Sequence, residues 1–179
     1  MPGVGRVIVG ASGSPGSLQA LRYGEVVARA HDTVLVPVLA WQPPGGDRCA
    51  DRYLRQEWHD LSCQRLRSAL AAVWGEVPAD PRVQPRVERG PAGWVLVTIA
   101  CCPGDLLVVG AGRRGTLARV AWSRVTGYCV AHAGCPVLTV PPPALARDLS
   151  HGPLAWVFWH RSLTPDQVLR DQGKPAAQS

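Results

Sequence analysis

Five short apolar runs, separated by longer stretches with helical periodicity, divide most of the chain. The runs cover residues 6–10, 33–41, 82–88, 106–109 and 137–140. Between them, apolar residues recur every three to four positions over about residues 15–30, 51–74, 94–102 and 117–133, the period of an amphipathic helix. The pattern therefore predicts five strands that alternate with four helices.

Strict alternation of strand and helix predicts an α/β fold, with a five-stranded parallel sheet and helices on both faces. Right-handed crossovers between parallel strands restrict the topology further. Pro37 in the second run and Pro85 in the third weaken both strand predictions, since proline has no N–H to donate to a sheet.

Two turns of small residues follow predicted strands. Gly10–Ser14 follows the first strand, with Ser14 as the predicted N-cap and Pro15 at the first helical position, and Gly110–Gly115 follows the fourth strand. Free backbone N–H groups at a helix start suit an anion such as phosphate. Ligands of open α/β sheets bind beyond the carboxyl ends of the strands. If strands one and four are neighbours, both turns line one crevice.

The composition of the 179 residues is that of one domain, predicted over residues 4–142, followed by a C-terminal extension over residues 143–179. The extension carries an apolar, aromatic segment, 154–160, that we expect to pack on the domain or on a protein partner. The net charge of +6 comes without a dense basic run, which argues against nucleic acid. Apolar runs are too short to span a membrane, and a cytoplasmic protein is predicted.

The cysteines lack the spacing of a metal site. No pair is separated by two residues and no Cys/His cluster forms, so most of the thiols are predicted to be small buried hydrophobes, and no metal ion is predicted. The six are Cys49, Cys63, Cys101, Cys102, Cys129 and Cys135.

Several segments together resemble the universal stress protein family. They read VIVGASGSPGSLQALRYG, TVLVPVLAWQPPGGD, RGPA, DLLVVGAGRRG and HAGCPVLTVPP, and the similarity covers about residues 4–141. The resemblance implies a Rossmann-like fold, a homodimer formed through the fifth strand (Val137–Val140), and a regulatory or protective role in stress that depends on binding and not on turnover. For one branch of the family it also implies ATP as the ligand.

The ATP signature of that branch is G-x2-G-x9-G followed by Ser or Thr, and this chain departs from it. An ungapped alignment places Gly110, Arg113 and Ser123 at the three glycines and Arg124 at the Ser/Thr position. Ser12 falls where the family has an aspartate. A shifted alignment through Gly112, Gly115 and Thr126 needs a two-residue offset. The crevice predicted by the resemblance comprises Gly10, Ser12, Val38, Val109, Gly110, Arg113, Ser123, Arg124, Val125 and Thr126.

These departures leave three functions open. Ser12 lacks the charge that holds ribose hydroxyls, a loss of about 1.5–3 kcal/mol, which the added arginines offset in part through the phosphates. A degenerate, non-catalytic nucleotide site is therefore predicted. The first alternative is a protein-interaction module that binds no nucleotide. The second is a weak nucleotide hydrolase or phosphotransferase, which needs a metal-binding carboxylate; Asp105 precedes strand four, at the wrong end. No catalytic residue is predicted.

Overall fold

The computed structural model describes residues 4–43, 52–111 and 124–143. The predicted order of elements is confirmed in this part of the chain. The elements are β1 (Arg6–Gly10), α1 (Pro15–Ala30), β2 (Val34–Trp41), α2 (Arg52–Trp74), β3 (Arg86–Arg89), α3 (Ala92–Ile99), β4 (Asp105–Gly110), α4 (Arg124–His132) and β5 (Val137–Val140).

The five strands form one parallel sheet in the order β3-β2-β1-β4-β5. Helices α1 and α2 cover one face around a core that includes Leu21 and Leu70, and α3 and α4 cover the other around a core that includes Leu96 and Cys129. The predicted sheet with helices on both faces is therefore confirmed. The chain winds outward in one direction from β1 to β3 and in the other from β4 to β5, so the winding reverses between β1 and β4.

Local sequence signals account for α1. The Ser14 hydroxyl accepts a hydrogen bond from the Ser17 N–H at 3.3 Å, and Pro15 occupies the first turn, as predicted. Gly24 faces the sheet, where an added Cβ would lie 2.5 Å from Val9 Cγ2. The missing side chain lets the helix pack close against β1.

The third strand begins at Arg86, so the prediction of a strand over residues 82–88 is wrong for its first half. Leu35 bonds through both its N–H and its C=O to residues 82–84, with Val83 in an isolated bridge. In a parallel strand, the backbone N–H and C=O groups of every second residue point toward the same neighbouring strand. The backbone of Pro37, two residues after Leu35, therefore also points toward residues 82–86. Its missing N–H falls where the β2–β3 pairing is interrupted, between Val83 and Arg86. The proline is tolerated there for that reason.

Helix α3 ends at Ile99, three residues earlier than predicted, and begins at Ala92, two residues earlier. Cys101 and Cys102 consequently lie in the turn that follows the helix, and both are exposed. The prediction of buried thiols is confirmed for Cys129 and Cys135 but wrong for this pair.

Helix α4 is described from Arg124, whereas the prediction began at residue 117; residues 117–123 lie outside the described part of the chain. The extension from residue 144 onward, with its aromatic segment, also lies outside it. Among the helices that the structure describes, none is long and apolar enough to cross a bilayer.

An ion pair joins β1 and β4 at the amino-terminal edge of the sheet. Arg6 on β1 donates to both carboxylate oxygens of Asp105 on β4, at 3.0 and 2.7 Å, and to the Ile99 carbonyl. Burial alone would raise the pKa of Asp105, but the hydrogen bonds from Arg6 and from the Cys102 N–H outweigh it, so the pKa is lowered. The Asp105 carboxylate thus has a structural role, and it lies at the edge of the sheet opposite the two turns.

A crevice between two turns at the carboxyl edge of the sheet

The two small-residue turns start from neighbouring strands. Gly10 ends β1 and Gly110 ends β4, and these strands pair directly with Val9 opposite Val108. Both turns are continued by sheet-like hydrogen bonds: the Ala11 N–H donates to Val38 O, and the Ala111 N–H donates to Val140 O. Both strands therefore end at the same edge, at the point where the winding reverses, which is where open α/β sheets bind ligands. Residues 112–115 of the second turn lie outside the described part of the chain.

Gly110 is required by packing. A Cβ added at this position would lie 2.7 Å from the Gly16 carbonyl carbon and 2.9 Å from its oxygen, both backbone atoms at the start of α1. The Thr126 hydroxyl donates to the Gly110 carbonyl at 2.9 Å and is buried. The end of β4 is thus held between the first turns of α1 and α4.

The turn after β1 is organised by serine side chains. The Ser12 hydroxyl donates to the Ser14 hydroxyl at 3.1 Å and lies close to the Ser14 N–H, while Ser14 caps α1. Both serines are exposed. Arg65 on α2 places its guanidinium 3.5 Å from the Ser12 carbonyl, an approach that the sequence analysis missed. Position 65 carries no local motif, so only the packing of α2 beside the turn reveals it.

Several residues predicted to line the crevice contribute backbone or core and little side-chain surface. Val38 and Val109 are 2% and 3% exposed, and both belong to the core beneath α3 and α4. A Cβ added at Gly10 would lie 3.2 Å from Leu96 Cδ1 and 3.8 Å from Val109 Cγ1, two side chains of the same core. The Val38 carbonyl is already paired with Ala11. A ligand role for these positions therefore stays a prediction.

The first turn of α4 carries three further predicted residues. Arg124 is exposed, Val125 is partly buried in the core under α3 and α4, and Thr126 is buried. Arg113 and Ser123, the remaining two signature positions, lie outside the described residues. Of the ten predicted residues, Ser12 and Arg124 are thus the ones whose described side chains are exposed to solvent.

A groove of about 540 Å³ lies at the same edge, beyond the ends of β2 and β3. Its lining combines a half-exposed aromatic ring, a guanidinium and an amide, from Trp94, Arg89 and Gln42, with Gly90 and Pro91 between them. The volume falls in the range of small-molecule sites. An aromatic ring beside a cation offers a flat surface on which a planar ring can stack.

The charge at this edge favours an anion. Arg65 and Arg124 are both exposed cations, whereas the buried carboxylate of Asp105 lies at the other end of β4. Among the described residues, no group of three or more His, Cys, Asp or Glu side chains is arranged to hold a metal ion. Ser12, where the family has an aspartate, supplies a hydroxyl and no carboxylate.

Comparison with known proteins places these features in a family. The model of the universal stress protein family matches residues 3–141. A search of curated proteins gave no match. Solved structures with the same fold include a universal stress protein in complex with cAMP, at 23% identity and a TM-score of 0.50, covering 77% of this chain and 97% of that one.

Two further structures agree in fold. UspA from Lactobacillus plantarum is 19% identical with a TM-score of 0.55, covering 76% of this chain and 97% of that one. A putative universal stress protein from Pseudomonas aeruginosa is 17% identical with a TM-score of 0.57, covering 85% of this chain and 54% of that one. With the family model spanning all nine elements of the fold, this chain belongs to the universal stress protein family.

Proposed function

We propose that this protein is a non-catalytic regulator or protective protein of the stress response, with a weak adenine-nucleotide site in the crevice between the two turns. The observation that carries the proposal is the direct pairing of β1 with β4, which brings the Ser12 turn and Gly110 to one edge at the point where the winding reverses. A structure of the same fold holds cAMP, which supports an adenine nucleotide as the first ligand to test.

In this proposal the phosphates are held by charge. Arg65 and Arg124 approach from α2 and α4, and the start of α1 adds the positive end of a helix dipole. The base points toward β2 and the Trp94 groove. ATP is therefore held more by its phosphates than by its sugar, since Ser12 supplies a hydroxyl in place of a carboxylate.

In this proposal the protein binds the nucleotide without turning it over. Phosphoryl transfer needs a carboxylate or similar oxygen ligand for Mg²⁺ near the phosphates. Asp105 is buried and paired with Arg6 at the opposite edge, and position 12 is a serine. We therefore expect binding without turnover.

The test combines calorimetry with product detection. Isothermal titration of the full chain with ATP, with and without Mg²⁺, and with AMP and cAMP, measures affinity, while phosphate and ADP are followed over hours. Binding without product release is the expected result. Release of phosphate at a rate above the protein-free control would show an enzyme.

Ser12→Asp sharpens this test, because it restores a charged acceptor at an exposed position without disturbing the core. A charge-assisted hydrogen bond contributes about 1.5–3 kcal/mol, so affinity for ATP should rise about tenfold to a hundredfold. Ser12→Asn is the matched control, since it has the same shape without the charge. If wild type, S12D and S12N are all silent toward every nucleotide, the nucleotide site is refuted.

A specific observation favours the interaction module as the second candidate. The glycine at position 110 is explained by its backbone contact with Gly16 and needs no ligand to account for it. Exposed apolar side chains also lie on α3, α4 and β5, among them Trp94, Val130 and Leu138. If no nucleotide binds in the titrations, a protein-interaction module is the function that the exposed apolar surface supports.

We further propose a homodimer formed through β5. Among the described strands it lies at the edge of the sheet, next to β4 alone, and an edge strand offers backbone groups with which another strand can pair. Leu138 is 37% exposed at its centre. A second copy of the chain, joined along this edge, would cover both.

A further inference from the structure

Two adjacent thiols lie outside the crevice, at the opposite edge of the sheet. Cys101 and Cys102 follow the end of α3, and both are exposed to solvent. Their sulfur atoms are 3.9 Å apart. They form a dithiol that an external reagent can reach.

The backbone that carries the dithiol is held in place. The Cys102 N–H donates to a carboxylate oxygen of Asp105 at 3.1 Å, and the Asp105 N–H donates to the Cys102 carbonyl at 2.9 Å. Asp105 is itself buried and paired with Arg6. The turn therefore presents the two sulfurs from a fixed frame and resists rearrangement of the Cys101–Cys102 peptide.

The spacing of the sulfurs decides what they suit. A disulfide needs the two atoms at about 2.05 Å, which would demand a movement of nearly 2 Å in this pinned turn. An atom bonded to both sulfurs at about 2.3 Å, the length of a zinc–thiolate bond, spans sulfurs up to about 4.6 Å apart. The observed 3.9 Å lies about 0.7 Å inside that span, so a bridging ion is accommodated when the two side chains turn slightly apart.

The number of available ligands selects the ion. Zinc in a structural site takes four protein ligands, whereas no group of three or more His, Cys, Asp or Glu in the described residues is arranged to hold a metal. A soft ion that is satisfied by two sulfurs fits this ligand set better than zinc, and Cu(I) is among the ions that thiolates select. The sequence-based expectation of no metal site rested on clusters of several ligands and does not cover a two-sulfur site.

The surroundings also supply charge balance. One Cu⁺ held by two thiolates carries a net charge of −1, and a guanidinium nitrogen of Arg6 lies 3.8 Å from the Cys102 sulfur. We propose that Cys101 and Cys102 form a surface-exposed, two-coordinate site for Cu(I). Binding makes two copper–sulfur bonds, releases the two thiol protons to water and changes no oxidation state.

The other described thiols are poorer ligands. Cys129 and Cys135 are buried, at 0% and 9% exposed. Cys63 is partly exposed, and the ring nitrogens of His59 lie 3.8 Å from its sulfur. Cys63 and His59 are therefore the pair of side chains that could compete for Cu(I). A variant at position 63 is therefore the matched control.

The experiment is an anaerobic competition for Cu(I) between the reduced full chain and a coloured Cu(I) chelator, bicinchoninate. Wild type and Cys63→Ser should each withdraw one equivalent of copper, and the double variant C101S/C102S should lose that equivalent. Both substituted thiols are exposed, so little buried surface is lost, and circular dichroism checks the fold. Iodoacetamide labelling of wild type gives an independent measurement, in which Cu(I) should protect Cys101 and Cys102 from alkylation.

The outcomes separate cleanly. Full withdrawal of copper by C101S/C102S, or loss of it in Cys63→Ser alone, overturns the assignment. Alkylation of Cys101 and Cys102 that is unchanged by one equivalent of Cu(I) also overturns it, even if the variants fail to fold. Zn²⁺ that protects the same pair at equal concentration refutes the choice of a two-coordinate ion.

Discussion

Replacing Gly110 with alanine tests whether this glycine is fixed by packing. The added Cβ would lie 2.7, 2.9 and 3.0 Å from the Gly16 carbonyl carbon, the Gly16 oxygen and the Ser17 nitrogen. All three are backbone atoms at the start of α1, and they cannot move out of the way by a change of rotamer, as the end of a side chain could. The helix must move by several tenths of an ångström, or β4 must bend.

The cost follows from that displacement. Overpacking of a filled site destabilises a protein by about 1–3 kcal/mol, and one kcal/mol shifts the melting temperature of a chain of this size by about 2–4 °C. Gly110→Ala should therefore lower the melting temperature by about 4–8 °C for a mid-range cost of about 2 kcal/mol. The loss should be present in the absence of nucleotide, because the contact is internal.

Gly16→Ala provides the matched control, because it adds the same methyl group on the other side of the same contact. Among the described residues, its Cβ would meet nothing closer than the Gly110 Cα at 3.9 Å, and alanine is the better helix former by about 0.5–1 kcal/mol. This variant should be neutral or slightly stabilised. Differential scanning calorimetry and urea unfolding measure both. Equal effects of the two substitutions, or a Gly110→Ala variant as stable as wild type, would refute the packing explanation.

Other described residues give four further predictions. Asp105→Asn should destabilise the fold by about 3 kcal/mol, because Arg6 loses its buried partner; a loss under 1 kcal/mol in urea unfolding would contradict this. Because the pKa of Asp105 is lowered in the fold, its contribution is present above the unfolded value of about 3.9 and is lost as the pH falls through the folded value. The stability advantage of wild type over D105N should therefore shrink in acid. The urea midpoints of both proteins at pH 7 and pH 3 measure this. Burial raises the pKa of Cys129 to about 11, so this thiol should resist iodoacetamide at pH 8 until urea unfolds the chain, and rapid labelling of the native protein would be inconsistent with its burial. Leu138→Glu should convert the proposed dimer to a monomer in light scattering, and an unchanged mass would exclude β5 from the interface.

Local signals in the sequence were sufficient for much of the fold. The apolar runs predicted β1 and β4 because a strand buried on both faces is apolar along its length. A short run of the same kind predicted β5, although two of its four residues are exposed at the edge of the sheet. Ser14 and Pro15 fixed the start of α1, since capping and the first helical turn depend on neighbouring residues alone. The turns after β1 and β4 were found in the same way.

The boundaries that the sequence analysis missed depend on distant contacts. The late start of β3 depends on the Leu35 backbone bonds and on the gap facing Pro37. The early end of α3, and with it the exposure of the cysteine pair, accompanies a turn held by Asp105. Leu35 is far along the chain from residues 82–84, and Asp105, although near the cysteine pair, is itself held by Arg6 on β1. Periodicity could not reveal these long-range contacts.

The sequence by itself determined that the chain is an alternating α/β domain with two small-residue turns and a broken nucleotide signature, because each of these is written in residues that lie side by side. The tertiary structure decided that β1 and β4 are neighbours, that Arg65 reaches the Ser12 turn, and that Arg6 lies beside both Asp105 and Cys102. These contacts join residues 53 to 99 positions apart. Such proximity is set by how the helices and strands pack, and no spacing along the chain encodes it directly.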